Sequence, residues 1–189
     1  IATWNVNSIK ARFLNLERWL KECSPDIVLL QELKCIDEAF PRLEIETLGY
    51  NVETVGQKTY NGVAILSKFP IDVELRALPG DGSDIQARYL EAFTGSVRVA
   101  SIYLPNGNPY PGEKFDYKLK WMERLYVHTL DLLRSEDAFV LGGDYNVIQQ
   151  AGDVYNPEAF KSDALYQIEA QAALRKITNL GLTDAFRAI

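Results

Sequence analysis

The sequence predicts a mixed α/β fold in which strand-rich layers are covered by amphipathic helices. Three observations carry that expectation. Apolar residues recur at helical spacing in two long stretches, around positions 9–23 and 115–133. Between and after them lie short runs of apolar, β-branched and aromatic residues bounded by turn-forming dipeptides. The gaps between the middle runs are too short for helical crossovers, so those runs pair as antiparallel neighbours. The chain has 189 residues, 47% of them hydrophobic, which gives enough material for a sizeable core in one domain or most of one.

Taken in order, Ile1–Val6 reads as a strand that runs into Asn5, Asn7 and Ser8. Ser8 is the expected N-cap of a helix with the stripe Ile9, Phe13, Leu16, Leu20 and Cys23, ended by Ser24-Pro25. Cys23 lies on that stripe and is expected in the core, while Cys35 reads as a loop residue. Ile27–Leu30 is a continuous apolar run, hence a strand buried on both faces, and it delivers Gln31, Glu32 and Lys34 at its exit. Strands are expected at Tyr50–Val55, Val63–Ser67, Ile71–Leu75, Arg88–Phe93 and Val97–Leu104. The punctuation between them is Asn61-Gly62, Phe69-Pro70, Pro79-Gly80-Asp81-Gly82 and Thr94-Gly95. A loop over Pro105–Gly112 precedes a helix over Phe115–Leu133, on which Trp121, Leu125 and Leu132 share a face. Ala138–Leu141 is a further buried strand, ended by Gly142-Gly143-Asp144-Tyr145-Asn146. A loop around Gly152–Pro157 leads to a helix near Ala164–Ile177, and Leu180-Gly181-Leu182 opens a last element.

Composition narrows the function classes. Twenty Lys and Arg against 26 Asp and Glu give a net charge of −6, which argues against coating nucleic acid by charge alone and leaves room for a local basic groove. Gly 12 and Pro 8 exclude a collagen-like or low-complexity chain. The longest apolar runs are a few residues, so no membrane span and no membrane partner are expected. The opening residues enter a strand pattern without a signal or transit segment. Two cysteines without metal spacing fit a reducing compartment, so the expected location is cytoplasmic.

Several apolar strands end in the same kind of residue. Asn5 flanks Val6, Glu32 follows Leu30 by two, Tyr103 follows Ile102, and Asp144 and Asn146 follow the Gly142-Gly143 pair. Strand ends of one sheet layer converge, so these side chains can share a pocket. Carboxylates and amides are hard oxygen donors suited to Mg²⁺, with Mn²⁺ as a substitute, and unsuited to zinc. The plainer reading is that Asn and Asp after strands form turns. Glu32 resists that reading, because a glutamate gains nothing from a turn. His128 sits mid-helix and reads as a packed or surface position, and no serine or thiol nucleophile stands out. The pocket therefore points to metal-assisted hydrolysis by water.

The segments ATWNVNSIKAR at 2–12, LLQELK at 29–34, YNGVAILSK at 60–68, QAR at 86–88, IYLPNG at 102–107, LGGDYNV at 141–147 and LGLTDAFR at 180–187 occur in that order. Together they resemble the exonuclease III family of DNA-repair nucleases, within the endonuclease/exonuclease/phosphatase fold. The resemblance implies a four-layer α/β/β/α sandwich of two mainly antiparallel sheets, forming one domain over 1–189. It implies a Mg²⁺-dependent phosphodiesterase that acts on duplex DNA, incising at abasic sites and removing nucleotides from 3′ ends. Glu32 matches the family's metal-binding glutamate, with Asn5 beside it. Asp144 matches the aspartate that activates the attacking water, Asn146 the asparagine that positions it and the phosphate, and Tyr103 the tyrosine on the scissile phosphate. Arg88, Asn61, Lys114 and Lys58 fall where the family has residues near the DNA backbone; the alternative for each cation is a solvated surface charge. The family's C-terminal Trp-rich segment, its R-I-D-like motif and its terminal S-D-H-x-P do not occur. The expectation is therefore a chain truncated at its C-terminal end, a monomer when complete and inactive without the histidine and aspartate of that tail. Two other readings stand beside this one: a phosphoesterase of the same fold acting on a phosphorylated lipid or nucleotide, and a catalytically inactive DNA-binding relative.

Overall fold

Among the described residues, eight strands form two mixed four-stranded sheets, ordered β1-β2-β4-β3 and β5-β6-β7-β8. In the first, β1 (Ala2–Asn5) and β2 (Ile27–Gln31) run parallel because helix α1 (Ile9–Cys23) carries the chain back between them. A short helix α2 (Arg42–Glu46), not foreseen in the sequence, precedes β3 (Asn51–Val55), which pairs antiparallel with β4 (Val63–Ser67). In the second sheet β5 (Asp72–Leu75), β6 (Tyr89–Thr94) and β7 (Val97–Tyr103) form an antiparallel meander. Helix α3 (Glu113–Arg134) intervenes before β8 (Phe139–Asp144), which therefore pairs parallel with β7. Helix α4 (Ile168–Thr178) follows. The structure, a computed structural model, describes residues 1–188. It divides the chain into two units, Ile1–Tyr103 with Asp137–Asp144, and Leu104–Glu136 with the residues from Tyr145 onward.

In the first unit, strand alternation sorts each central strand between two cores. Val28, Leu30, Ala64 and Leu66 face Ile9, Leu16 and Leu20 of α1. Ile27, Leu29, Val63 and Ile65 face Leu90, Ala92 and Val99 of the second sheet. The unbroken apolar run of β2 thus means burial on both faces. Helix α1 starts as its sequence indicates, with Ser8 Oγ accepting from the Ala11 N–H at 3.4 Å. It ends at Ser24, whose left-handed backbone returns its N–H to Leu20 O. Cys23 corrects the expectation: it is exposed, because the last residue of the helix lies beyond the turn that meets the sheet. Cys35, in a loop as expected, is buried against the same core.

The second unit is held by α3 and α4 and by a buried lysine. Lys118, fully buried on α3, donates from Nζ to the carbonyls of Asn106 at 3.1 Å, Asn146 at 2.6 Å and Ala164 at 3.3 Å. One ammonium thereby ties three loop segments together, which matters because charged donors to buried carbonyls are the strong ones. Lys118→Met should lower the unfolding free energy by about 3 kcal/mol, since it leaves buried carbonyls without their donor. Chemical denaturation compared with the parent checks this, and a loss under about 1 kcal/mol would mean that water replaces the ammonium. The helix expected from Ala164 is interrupted. Ala164–Tyr166 is a separate 3-10 turn, Gln167 is extended, and its Nε2 donates to Asp163 O at 2.7 Å and Lys161 O at 3.1 Å rather than continuing a helical surface.

Candidate active site

The exits of β1, β2, β7 and β8 meet in the first unit. Register places Asn5 opposite Gln31 and Tyr103 opposite Asp144, so these strand ends lie level. Asn5 is the joint between the sheets: its Nδ2 donates to Glu32 Oε1 at 2.8 Å and to Asp144 Oδ2 at 2.8 Å. Its Oδ1 accepts the Asn7 N–H at 3.0 Å, which fixes the orientation of the amide. The Tyr103 hydroxyl donates to the Glu32 carboxylate. Two carboxylates from different sheets, one amide and one phenol therefore share a cluster.

Local backbone explains how Glu32 arrives there. Continued strand alternation would send Glu32 to the helix side with Val28 and Leu30. Instead its φ is +56°, a left-handed value that costs a non-glycine residue about 1–2 kcal/mol. The turn that imposes it is pinned by Ser8 N–H to Glu32 O at 2.8 Å, Leu33 N–H to Gly62 O at 3.1 Å and Lys34 N–H to Asn61 O at 2.9 Å. On the other sheet, Gly143 crosses so close to β7 that a Cβ there would fall 2.0 Å from Ile102 O, so the residue before Asp144 is confined to glycine.

The electrostatics separate the acid from the phenol. Burial pushes the Glu32 carboxyl upward, but hydrogen bonds from Asn5, Lys34 and Tyr103 and the Lys34 charge outweigh it, so its pKa falls below the usual glutamate value. Burial pushes the Tyr103 hydroxyl strongly up, with the Glu32 charge and hydrogen bond adding to it against the opposing Arg88 charge. Glu32 is an anion and Tyr103 a protonated donor across the physiological range. The donor set suits a hard divalent cation: two carboxylates and a neighbouring amide leave room for the waters and phosphate oxygens that Mg²⁺ retains. Among the described residues no group of three or more His, Cys, Asp or Glu side chains is placed to hold a metal.

Of the residues singled out in the sequence, Asn5, Glu32, Tyr103 and Asp144 come together. Asn146 belongs to the second unit, where its Nδ2 donates to Leu104 O at 2.9 Å and its φ is +47°. Arg88 stands over the Tyr103 ring at 4.8 Å, donates from Nη1 to Tyr103 O at 3.2 Å and is steadied by Gln86 Oε1 at 2.7 Å from its Nε. Asn61 is buried and its Nδ2 donates to Gln57 Oε1 at 2.8 Å and Gln86 Oε1 at 3.4 Å. Lys58 and, in the second unit, Lys114 are exposed. Lys34 was missed as a site residue: its ammonium lies 2.9 Å from Glu32 Oε2 and also donates to Asn7 Oδ1. Strand alternation offered no signal for it, because the pairing arises from the left-handed turn at Glu32.

Comparison with known proteins gives the family and the fold. The chain matches the Endonuclease/Exonuclease/phosphatase family over residues 2–187. It is 31% identical to the exodeoxyribonuclease III of Haemophilus influenzae, over 99% of this chain and 74% of that protein. Its structure resembles an AP endonuclease from Archaeoglobus fulgidus, with TM-score 0.93, 36% identity, and coverage of 99% of this chain and 72% of the other. It equally resembles the 3′ phosphatase NExo from Neisseria bound to a product DNA hairpin, with TM-score 0.93, 34% identity and coverage of 99% and 73%.

Proposed function

This chain belongs to the endonuclease/exonuclease/phosphatase family, and on that premise we propose that it is a DNA-repair nuclease. Its reaction is hydrolysis of a phosphodiester bond in duplex DNA with a divalent cation, cutting 5′ of abasic sites and trimming 3′ ends. The single observation that carries this reading is the Asn5 amide, which holds Glu32 and Asp144 at hydrogen-bond distance from one nitrogen. Glu32, with Asn5 beside it, would hold Mg²⁺, or Mn²⁺ as substitute, which would supply Lewis-acid stabilisation of the charge that develops on the phosphate.

The chain's own residues account for the remaining steps. Asp144 accepts the proton of the attacking water, whose oxygen bonds to phosphorus as the bond to the leaving oxygen breaks. Tyr103, kept protonated, turns its single O–H from Glu32 to a phosphate oxygen when the substrate binds, and Asn146 offers the phosphate an amide N–H. Arg88, Lys58, Lys114 and the loop carrying Asn61 meet the sugar-phosphate backbone, which positions the duplex without reading its sequence. An abasic nucleotide has no base to unstack, which makes it the easiest to draw toward the site. A working location in the cytoplasm and a monomeric state belong to the same proposal. No helix among the described residues is long and apolar enough to cross a membrane.

The test is to express the protein from its complete reading frame and assay it with Mg²⁺ on abasic duplex, on blunt duplex and on inositol phosphates. Incision of the abasic duplex is the expected result. Turnover of inositol phosphates alone would place the chain with phosphatases of the same fold. Duplex binding without turnover would make it an inactive relative. In the same assay His128→Gln should keep turnover within about threefold of the parent. His128 is buried on the packing side of α3, the first of the two placements the sequence left open, and the named site residues do not include it. A drop of a hundredfold in a folded variant would mean the site is misplaced.

A further inference from the structure

A second polar layer lies beneath the site. Residues two apart on a strand share a face. Thr3 therefore stands one step below Asn5 on β1, Ser101 below Tyr103 on β7, and Gly142 below Asp144 on β8. Gln31 of β2, next to Glu32, occupies the centre. Gln31 and Ser101 are buried, at 1% and 0% exposure, within a core otherwise built of Leu29, Val63, Ile65, Leu90, Ala92 and Val99. Gln31 Nε2 donates to Ser101 Oγ across the sheets at 3.1 Å and to Leu29 O at 3.0 Å. Gln31 Oε1 accepts from Thr3 Oγ1 at 3.2 Å, and Ser101 Oγ donates to Leu30 O at 2.9 Å.

We propose that the Thr3–Gln31–Ser101 layer is a positioning device, with Gln31 at its centre, that sets the spacing and register of the two sheets for the residues above it. The proposal rests on the reading of Glu32, Asn5, Tyr103 and Asp144 as a hydrolytic site. Apolar packing between sheets is non-directional and tolerates small slides, whereas the Glu32–Asn5–Asp144 contacts need one alignment. The layer supplies direction where it is needed, because two successive β2 carbonyls, Leu29 and Leu30, receive side-chain donors at this level. Gly142 leaves room for Leu29 from the other side: a Cβ there would stand 2.5 Å from Leu29 Cδ1, so a side chain would have to displace buried Leu29 one step below Asp144. Stability does not explain the layer, since exchanging its side chains for apolar groups of similar shape can be close to neutral, and the Leu29 and Leu30 backbones they leave lie in strand ladders with β1 and β4.

The test compares the parent, a triple variant Thr3→Val, Gln31→Leu, Ser101→Ala, and Glu32→Gln, all from the complete reading frame. Three readouts are taken: thermal melting, Mn²⁺ half-saturation by electron paramagnetic resonance without DNA, and kcat and KM on abasic duplex. The triple variant should melt within a few degrees of the parent, bind Mn²⁺ about tenfold more weakly and lose about tenfold or more in kcat, with KM within about threefold. A folded triple variant within twofold of the parent in both Mn²⁺ binding and kcat overturns the proposal. So does a loss of both that merely tracks the folded fraction. Should the triple variant fail to fold, Ser101→Ala, which removes one hydroxyl, is judged by the same criteria. An unimpaired Glu32→Gln would overturn the site reading and the layer's role with it. An impaired Glu32→Gln beside an unimpaired triple variant overturns the layer alone.

Discussion

Glu32→Gln is expected to cut turnover by about a hundredfold or more while leaving the melting temperature close to that of the parent. The substitution keeps size, the left-handed backbone and one oxygen for Asn5 to donate to. It removes the charge that would hold the cation. The ion pair it breaks, to Lys34 at 2.9 Å, is partly solvated on both sides and contributes little to folding. Because the Glu32 pKa is lower in the folded protein than in the unfolded chain, its ionised form contributes stability above the ordinary glutamate range. That contribution disappears as pH falls through the lowered folded value. The gap in melting temperature between parent and variant should therefore be small at neutral pH and vanish in acid, once pH has fallen past the lowered Glu32 value. Unchanged incision at saturating Mg²⁺ would remove Glu32 from the metal site.

Much of this cluster was visible in the sequence because strand-end chemistry is local. The apolar run Ile27–Leu30 announced a buried strand, and a glutamate just past such a strand has no structural use of its own. The ladder then brings Asn5 level with Gln31 and Tyr103 level with Asp144, which is the convergence the strand exits implied. What the sequence concealed depends on tertiary accidents. The left-handed turn at Glu32 is imposed by hydrogen bonds from Ser8 and to Gly62, both distant in the chain. Lys34 becomes a partner of Glu32 only through that turn. Gln31 looked like one more polar residue at a strand exit, and its burial between the sheets follows from a pairing with Ser101, 70 residues away. Cys23 misled because helical periodicity reports a face and not where along the helix the core stops. The break before α4 was hidden because Gln167 is a good helix former whose side chain is used instead to close the preceding turn.

Asp144→Asn should cost at least as much turnover as Glu32→Gln and should leave duplex affinity within a few-fold of the parent. Structurally the exchange is mild. The introduced amide would still offer one oxygen to Asn5 Nδ2, the partner that now lies 2.8 Å from Asp144 Oδ2, and the Gly142-Gly143 approach that positions the residue is untouched. Chemically it is severe. An amide cannot take a proton from water, and its NH₂ presents donors where the water needs an acceptor. Losing a base alone costs a factor of about 10² to 10⁴, and losing the negative charge opposite Glu32 also weakens the hold on a divalent cation. Affinity should survive because, on the proposed reading, duplex binding is spread over Arg88, Lys58, Lys114 and backbone groups on several loops, none of which depends on the Asp144 charge. The decisive measurement pairs single-turnover incision with equilibrium binding of an abasic duplex in Ca²⁺, which supports binding while holding chemistry back. Rate lost with binding kept identifies Asp144 as the base. Rate and binding lost together would make the carboxylate a strut between the two sheets, since Asn5 spans from it to Glu32 and its loss would loosen the platform on which the duplex rests.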